Sequence, residues 1–330
     1  KKAKVIIADY YHILSPSIRN SLFTRIQKEL SNCIIYFDEA HNLPDKCRDL
    51  LTTNLSSIAI ELALKENKAF NFDYEEDLFN ILNNLSALAK AISLEKQVAL
   101  VKKQDFSADS SLIEPMKEAA DIVREKQKRS LLGGVANFLE AWNGPDKAFT
   151  RIIERRFSKY GKPYNSLSYK CLDPSLLITQ LNARSLVFMS GTLSPVSMYL
   201  DLLGLDKSRT VTTEYNNPFP QSNRLNLIVP TTTTKFTMRS ESMYKRISKI
   251  CADIVNLTPG NSAIFFPSYD LRNQVFYFFQ HESEKTIIKE EPKLSKSEKQ
   301  QIIDNFKSYN KEGAVLLGAS SGSFGEGIDL

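Results

Sequence analysis

The stretch Cys33-Ile34-Ile35-Tyr36-Phe37-Asp38-Glu39-Ala40-His41-Asn42-Leu43-Pro44-Asp45 joins a short apolar run to two carboxylates and a histidine. Residues 34–37 are β-branched or aromatic, and the run has the length of a buried strand. Because a buried charge is costly, we expect Asp38 and Glu39 just beyond the carboxyl end of that strand. Open α/β sheets bind their ligands at that edge.

Two adjacent carboxylates at such an edge suit phosphate chemistry. One can hold a hydrated Mg²⁺ that carries nucleotide phosphates, and the other can orient or deprotonate an attacking water. The alternative is a strand followed by an ordinary polar loop. The strand that precedes Asp38 favours the chemical interpretation.

Composition bounds the class of protein. The chain has 330 residues, 42% hydrophobic and 25% charged, which is enough for two or three ordinary globular domains. Its net charge of +5 would suit a polyanionic partner. No apolar run approaches the ~20 residues that span a membrane, and no signal peptide is recognisable. The four cysteines are scattered without a CxxC pair, which is typical of reduced thiols in an intracellular protein.

The sequence has two kinds of predicted secondary structure, an alternation of strands and helices and a region of helices alone. It opens as strand (4–8), helix (17–30) and strand (34–37), and it returns to α/β alternation in its second half, including a strand over 225–229. Between them lies a region of helical spacing with mixed charges. Its basic stretches 124–129 and 151–162 are interpreted either as solvated faces or as the lining of a nucleic-acid path.

Two further groups of residues follow apolar strands. The aromatic pair Tyr10-Tyr11 and the adjacent His12 come after the first run. Tyr11 and His12 are the candidates for stacking on a base, with simple packing as the equal alternative. Ser190-Gly191-Thr192 follows the apolar run 185–189, where hydroxyls can relay position between neighbouring sites; a simple turn is the alternative.

Four motifs stand in a fixed order. Asp-Glu-Ala-His occupies 38–41, Ser-Gly-Thr-Leu-Ser-Pro 190–195, Phe-Phe-Pro-Ser-Tyr 265–269, and Gly-Ser-Phe-Gly-Glu-Gly-Ile-Asp 322–329. The ordered set resembles the XPD/DinG branch of superfamily 2 DNA helicases, and most of all an archaeal XPD-type protein. The resemblance covers nearly the whole chain.

The resemblance implies an α/β fold with two RecA-like parallel-sheet lobes, both incomplete here, and an all-helical arch insertion. Lobe 1 would comprise 1–50 and 164–200, the arch 51–163, and lobe 2 201–330. It also implies roles for individual residues. Asp38 and Glu39 would bind Mg²⁺ through water and activate the attacking water, with His41 as a third catalytic residue. The other implied sites are coupling (Ser190, Gly191, Thr192), nucleotide binding (Gly325, Glu326, Gly327, Asp329) and DNA binding (Tyr11, His12, Pro267, Ser268, Tyr269).

The sequence departs from the family pattern in ways that bear on cofactors. It contains no GxxxxGKS/T phosphate-binding loop and no arginine-finger motif after residues 322–329. The family's iron–sulfur cluster is held by four cysteines upstream of residues 9–16, so none of the cysteines here is assigned to it. We therefore expect a piece of a longer protein, and we expect that these 330 residues alone hydrolyse no ATP.

The complete protein is expected to use ATP, Mg²⁺ and an iron–sulfur cluster and to translocate 5′ to 3′ on single-stranded DNA. Single-stranded and forked DNA would be its substrates in nucleotide excision repair, with repair proteins as further partners and no membrane. We expect a cytoplasmic protein in an archaeon or a nuclear one in a eukaryote. The alternative is a catalytically inactive helicase-like DNA-binding or scaffold protein. The intact Asp38-Glu39 pair argues against that alternative, and no exonuclease domain accompanies the motifs.

Overall fold

The computed structural model describes residues 3–90, 97–158 and 160–325. The chain divides into two compact units, Lys1–Tyr215 and Asn216–Leu330. Both contain helices and parallel strands, which confirms the predicted α/β class.

The first unit combines a parallel strand pair with a larger insertion between its two strands. Its helices and strands are α1 (Tyr11–Leu14), α2 (Pro16–Ile26), β1 (Ile34–Phe37), α3 (Leu43–Leu51), β2 (Thr53–Ser56), α4 (Ser57–Ala69), α5 (Glu75–Lys90), β3 (Val98–Leu100), α6 (Ile113–Lys126), α7 (Leu131–Trp142), β4 (Phe149–Phe157), β5 (Pro163–Cys171), α8 (Ser175–Ile178), β6 (Ser185–Phe188) and α9 (Val196–Leu202).

Strands β1 and β6, both predicted from apolar runs, pair in parallel. Ile34 lies opposite Ser185, and Phe37 lies opposite Phe188. The two phenylalanine rings stack with centroids 5.3 Å apart. Phe37 belongs to a core with Ala40 and other buried apolar residues, and burying a ring of this size contributes about 2 kcal/mol. This core holds the ends of both strands in place.

The insertion is not all-helical, so that part of the prediction is wrong. Helices α4–α7 pack around an antiparallel sheet with strand order β2-β5-β4-β3. The buried residues of the insertion, among them Trp142 and Leu167, form a core separate from that of the β1–β6 pair. The prediction failed at β4 because its charged residues have the sequence pattern of a solvent-exposed helix face. Its partner β5 also pairs with β2, more than a hundred residues earlier in the chain.

Two predicted strands are absent from the described part of the chain. Residues 4–8 and 225–229 have no regular structure, and their apolar side chains are exposed, with Ile7 at 96% and Ile228 at 91%. A strand exists only where a neighbour accepts and donates its backbone hydrogen bonds. Among the described residues neither run has such a neighbour.

The second unit contains a parallel sheet with helices in its connections. Its elements are α10 (Glu241–Leu257), β7 (Ser262–Phe266), α11 (Tyr269–Phe279), β8 (Thr286–Lys289), α12 (Lys296–Ser308) and β9 (Ala314–Ala319). The strand order is β7-β9-β8, and both pairings are parallel. Strand β9 is buried along its whole length, as expected for the central strand of a parallel sheet.

Candidate functional site

The carboxyl ends of β1 and β6 place the predicted catalytic and coupling residues side by side. The backbone N–H of Met189 donates to the carbonyl of Phe37 over 3.0 Å, and that of Ala40 donates to the carbonyl of Met189 over 3.0 Å. Glu39 lies between these contacts with φ 47° and ψ 43°, in the left-handed region. This conformation costs a residue with a Cβ about 1 kcal/mol, and it turns the chain sharply at the strand end.

Four side chains form a hydrogen-bonded cluster at this edge. Ser190 Oγ donates to Glu39 Oε2 over 3.3 Å and lies 2.7 Å from His41 Nδ1. His41 Nδ1 also lies 3.3 Å from Glu39 Oε2. The backbone N–H of Thr192 donates to Ser190 Oγ over 3.1 Å, and the two hydroxyl oxygens are 3.3 Å apart. The structure thus brings together residues predicted separately from two distant motifs.

The single hydroxyl proton of Ser190 constrains the protonation of His41. When that proton points to Glu39, Nδ1 of His41 must carry a proton to donate to the serine oxygen. The cluster then runs as a donor chain from His41 through Ser190 to the Glu39 carboxylate. Each of these three groups therefore lies within hydrogen-bonding distance of the other two.

Asp38 and Glu39 leave their carboxylates accessible to solvent. Asp38 Oδ1 accepts from the backbone N–H of Glu39 over 3.0 Å. No group of three or more potential metal-ligating side chains occurs within the described ranges. Mg²⁺ at nucleotide sites usually takes one or two protein carboxylates and completes its shell with water and phosphate. An exposed Asp38 therefore suits a partly hydrated Mg²⁺ but does not make a closed protein cage.

Tyr10 is a site residue that the sequence-based prediction missed. Its hydroxyl donates to the backbone carbonyl of Asp38 and lies 3.1 Å from that of Glu39. Burial raises the pKa of the Tyr10 phenol, and the carboxylates of Asp38, Glu39 and Asp9 raise it further. The aromatic pair at 10–11 was the only signal in the sequence, and it does not tell which ring faces the carboxylates.

The predicted DNA-binding pair beside Tyr10 lies differently. Tyr11 is 37% exposed in α1, and His12 Nδ1 lies 3.3 Å from the carbonyl of Asp9. The aromatic ring of Tyr11 therefore reaches solvent, as stacking on a base would require. Its role in DNA binding stays a prediction.

The predicted residues of the second unit lie at the carboxyl ends of β7 and β9. Ser268 Oγ accepts from the backbone N–H of Leu271 over 3.3 Å and caps α11, and Tyr269 donates its hydroxyl proton to Glu290 over 2.8 Å. Pro267 is exposed. A Cβ added to Gly325 would come 2.2 Å from the carbonyl oxygen of Ser320, so only glycine allows this close approach. Glu326, Gly327 and Asp329 lie outside the described residues.

The cysteines do not form a cluster site. Cys33, Cys47, Cys171 and Cys251 are free thiols, and within the described ranges no three metal-ligating side chains come together. A four-cysteine iron–sulfur cluster does not fit these residues. In the described part of the chain, no helix is long and apolar enough to cross a membrane.

Comparisons with known proteins agree with the order of motifs. A family model described as "Helicase C-terminal domain" matches residues 251–330, and one described as "DEAD_2" matches residues 1–60. The ATP-dependent DNA helicase XPD of Sulfolobus acidocaldarius is 26% identical over 342 residues, covering 100% of this chain and 56% of that protein. The XPD/RAD3 helicase subunit of the general transcription and DNA repair factor IIH of Saccharomyces cerevisiae is 20% identical, with 99% and 52% covered.

The chain is similar to XPD-type superfamily 2 helicases over nearly its whole length. This similarity confirms the resemblance predicted from the motifs, whereas an archaeal origin stays a prediction. Another relative, the ATP-dependent DNA helicase CHL1 of Vanderwaltozyma polyspora, is 26% identical over 315 residues, covering 81% of this chain and 37% of that protein. The chain spans about half the length of the XPD relatives it matches.

Solved structures of XPD-type helicases have the same fold. The chain titled "XPD_APO" superposes with a TM-score of 0.59 at 22% identity, covering 97% of this chain and 61% of the other. The structure of S. tokodaii Xpd4 superposes with a TM-score of 0.57 at 19% identity, covering 95% and 62%. At these identities the likeness concerns the fold alone.

Proposed function

We propose that the complete protein is an ATP-dependent DNA helicase of the XPD type. It couples ATP hydrolysis to 5′ to 3′ translocation on single-stranded DNA and opens forked duplexes, with nucleotide excision repair as its role. The names of the XPD and CHL1 relatives support ATP-dependent helicase activity. The polarity and the repair role rest on the family resemblance, as does the compartment, which is the cytoplasm in an archaeon or the nucleus in a eukaryote.

The observation that carries the proposal is the cluster of Glu39, His41 and Ser190 at the carboxyl ends of two parallel strands. Asp38 would hold a hydrated Mg²⁺, and that ion, when bound, would supply positive charge to the nucleotide phosphates. Glu39 orients the attacking water and accepts its proton. The Ser190 hydroxyl, bound to both Glu39 and His41, passes the state of the hydrolytic site to its own strand end.

The remaining assignments extend this proposal along the chain. We place lobe 1 at 1–50 and 172–215, the insertion at 51–171 and lobe 2 at 216–330. The bounds differ from those predicted because β5 pairs with β2 and β4, and because Leu203 packs in the core of the β1–β6 pair. The separate core of the insertion supports treating it as a domain of its own. Gly191 and Thr192 belong to the coupling segment, and the lobe 2 residues divide between nucleotide binding (Gly325, Glu326, Gly327, Asp329) and DNA binding (Pro267, Ser268, Tyr269), with Tyr11 and His12 as DNA contacts of lobe 1.

An iron–sulfur cluster would need ligands other than the four cysteines described above. Cys47 and Cys171 are buried, and Cys33 and Cys251 are partly buried as free thiols. In the complete protein the cluster ligands would therefore come from residues outside these 330. Repair-protein partners are proposed on the same resemblance.

The substitution Glu39→Gln in the complete protein tests the hydrolytic assignment. Removing the base should lower DNA-stimulated ATPase activity by about two to four orders of magnitude while nucleotide binding is kept. Glu61→Gln, on an exposed position of α4, is the matched control and should leave the rate unchanged. Turnover at the wild-type rate in Glu39→Gln would refute the assigned base.

The second candidate is a helicase-like protein that binds DNA or partners without turnover. Retention of both Asp38 and Glu39 at an exposed strand end disfavours it, since a scaffold has no need of a water-activating carboxylate. The two functions differ in one measurement. A complete wild-type protein that binds single-stranded DNA but shows no ATPase activity with or without DNA would establish the second.

A further inference from the structure

Glu290 is a buried carboxylate that the proposed chemistry does not use. It follows β8 directly and is 0% exposed. Burying a carboxylate costs several kcal/mol unless hydrogen-bond donors surround it. The donors around Glu290 therefore identify what this residue holds.

Three donors from three different places converge on its two oxygens within the described residues. The Tyr269 hydroxyl, at the start of α11, donates to Oε1 over 2.8 Å. The backbone N–H of Ala319, at the end of β9, donates to Oε2 over 3.0 Å, and that of Ser323 donates to Oε1. One side chain thus ties the end of β7–α11 to the turn that follows β9.

Two glycines let the backbone reach the carboxylate. A Cβ on Gly322 would lie 2.5 Å from both carboxylate oxygens and 2.7 Å from the Tyr269 hydroxyl. A Cβ on Gly318 would lie 3.0 Å from Oε2. The backbone of the turn 319–325 therefore lies directly against Glu290.

A buried arginine also contacts both Glu290 and Tyr269. Arg272 is 1% exposed, donates to the backbone carbonyl of Glu290, and lies 4.9 Å over the Tyr269 ring. Burial and the bond to Glu290 raise the pKa of the Tyr269 phenol, so the hydroxyl remains a donor throughout the neutral range. The orientation of Tyr269 is thus set by two neighbours.

We propose that Glu290 is a positioning residue that fixes the turn 319–325 and links it to Tyr269. The inference rests on the proposed function to the extent that this turn leads into Gly325–Asp329, the segment assigned to the nucleotide. Through Glu290, the Phe-Phe-Pro-Ser-Tyr motif (265–269) is linked to residues 322–325, the described part of the fourth motif. A shift of Tyr269 moves the backbone of the turn, and the reverse holds as well.

Hydrogen exchange of the 330-residue chain tests the positioning role without any need for activity. In Glu290→Gln the side-chain amide replaces one acceptor oxygen by a donor, so the N–H of Ala319 or of Ser323 loses its partner in either orientation. Exchange across 319–325 should accelerate roughly tenfold, while β7 keeps its wild-type protection. Equal loss of protection in β7 and in the turn would mean a general structural role and overturn the proposal, as would an unchanged turn.

The neighbouring carboxylate is the matched control. Glu291 is 56% exposed and pairs with Lys289 Nζ over 3.3 Å. Glu291→Gln should leave exchange of the turn unchanged. Should Glu290→Gln fail to fold, Tyr269→Phe removes a single hydroxyl from the network and should still accelerate exchange of 319–325, by less than tenfold. Wild-type exchange in a folded Tyr269→Phe protein would then overturn the link.

Steady-state ATPase kinetics of the complete protein test whether the turn 319–325 contributes to nucleotide binding. If the proposed function holds, Glu290→Gln should raise the KM for ATP about tenfold more than it lowers kcat, because the turn and not the attacking water is displaced. Faster exchange with unaltered KM would overturn the role in nucleotide binding. A wild-type protein without ATPase activity would instead refute the proposed function, and the exchange result would still decide the role of Glu290 in the turn.

Discussion

Ser190 Oγ donates to Glu39 Oε2 over 3.3 Å, although 151 positions separate the two residues in the chain. The whole insertion lies between them in sequence. They meet because β1 and β6 are parallel neighbours whose carboxyl ends coincide. Glu39 is proposed to activate water, and Ser190 is proposed to relay the state of that carboxylate. The contact between them places both groups in one cluster.

Loss of the Ser190 hydroxyl should uncouple hydrolysis from DNA. In Ser190→Ala, Glu39 and His41 keep their own positions but lose the group that both contact. We expect the stimulation of ATPase activity by single-stranded DNA to fall about tenfold, with a smaller change in the rate without DNA. Rates measured with and without DNA give this ratio. Ser197→Ala, at an exposed position of α9, should preserve it; an unaltered ratio in Ser190→Ala would exclude the relay.

Tyr10→Phe should weaken the turn that carries the carboxylates. The change removes the hydroxyl that bonds the carbonyls of Asp38 and Glu39 and keeps the ring. We expect the free energy of unfolding, measured with urea, to fall by about 1 kcal/mol. Tyr36→Phe, on β1 with a 64% exposed side chain, is the control and should have no effect.

The pH dependence of stability should reveal the same hydroxyl. The folded-state pKa of Tyr10 is raised, so its contribution is complete below the unfolded value of 10.0 and is lost as the pH rises through the folded value. The wild-type protein should therefore lose stability above pH 10 more steeply than Tyr10→Phe. Parallel curves for the two proteins from neutral pH upward would show that the Tyr10 environment is solvent-like.

Buried thiols should resist alkylation. Burial raises the pKa of Cys47 to about 12 and that of Cys251 to about 11, so both remain protonated at pH 8. Cys33 directly precedes β1 and, like Cys251, is partly buried. With iodoacetamide and mass spectrometry, Cys33 should react first and Cys47 last. Early modification of Cys47 without unfolding would contradict the described packing.

Glu66 should contribute strongly to the stability of the insertion. It is 6% exposed and accepts from the backbone N–H groups of Leu131 and Leu132 at the start of α7, and from Ser130 Oγ over 2.6 Å. Glu66→Gln should lower the free energy of unfolding by about 1–3 kcal/mol. The exposed Glu61→Gln on the same helix serves as control. Equal urea midpoints for the two variants would show that the hydrogen bonds from Glu66 to the start of α7 do not contribute to stability.

The strands next to the motifs could be predicted from the sequence. A short apolar run that ends in polar residues is compatible with few structures other than a strand. The runs 34–37 and 185–189 were both predicted as strands, and both form the parallel pair. The runs 4–8 and 225–229 have equally apolar sequences but no strand structure. The local sequence pattern indicates which side chains favour an extended conformation. A strand also needs a neighbouring strand that hydrogen-bonds to its backbone.

The sequence by itself determined the α/β class, the resemblance to XPD-type helicases and the placement of Asp38, Glu39 and Ser190 at strand ends, because these follow from local apolar runs and ordered motifs. Only the tertiary structure decided that Tyr10 rather than Tyr11 bonds the carboxylate turn, that the insertion contains an antiparallel sheet, and that Glu290 joins two motifs. Each of these depends on groups far apart in the chain. Their contacts arise when buried polar atoms must find partners across the fold, and local spacing does not specify which partners those are.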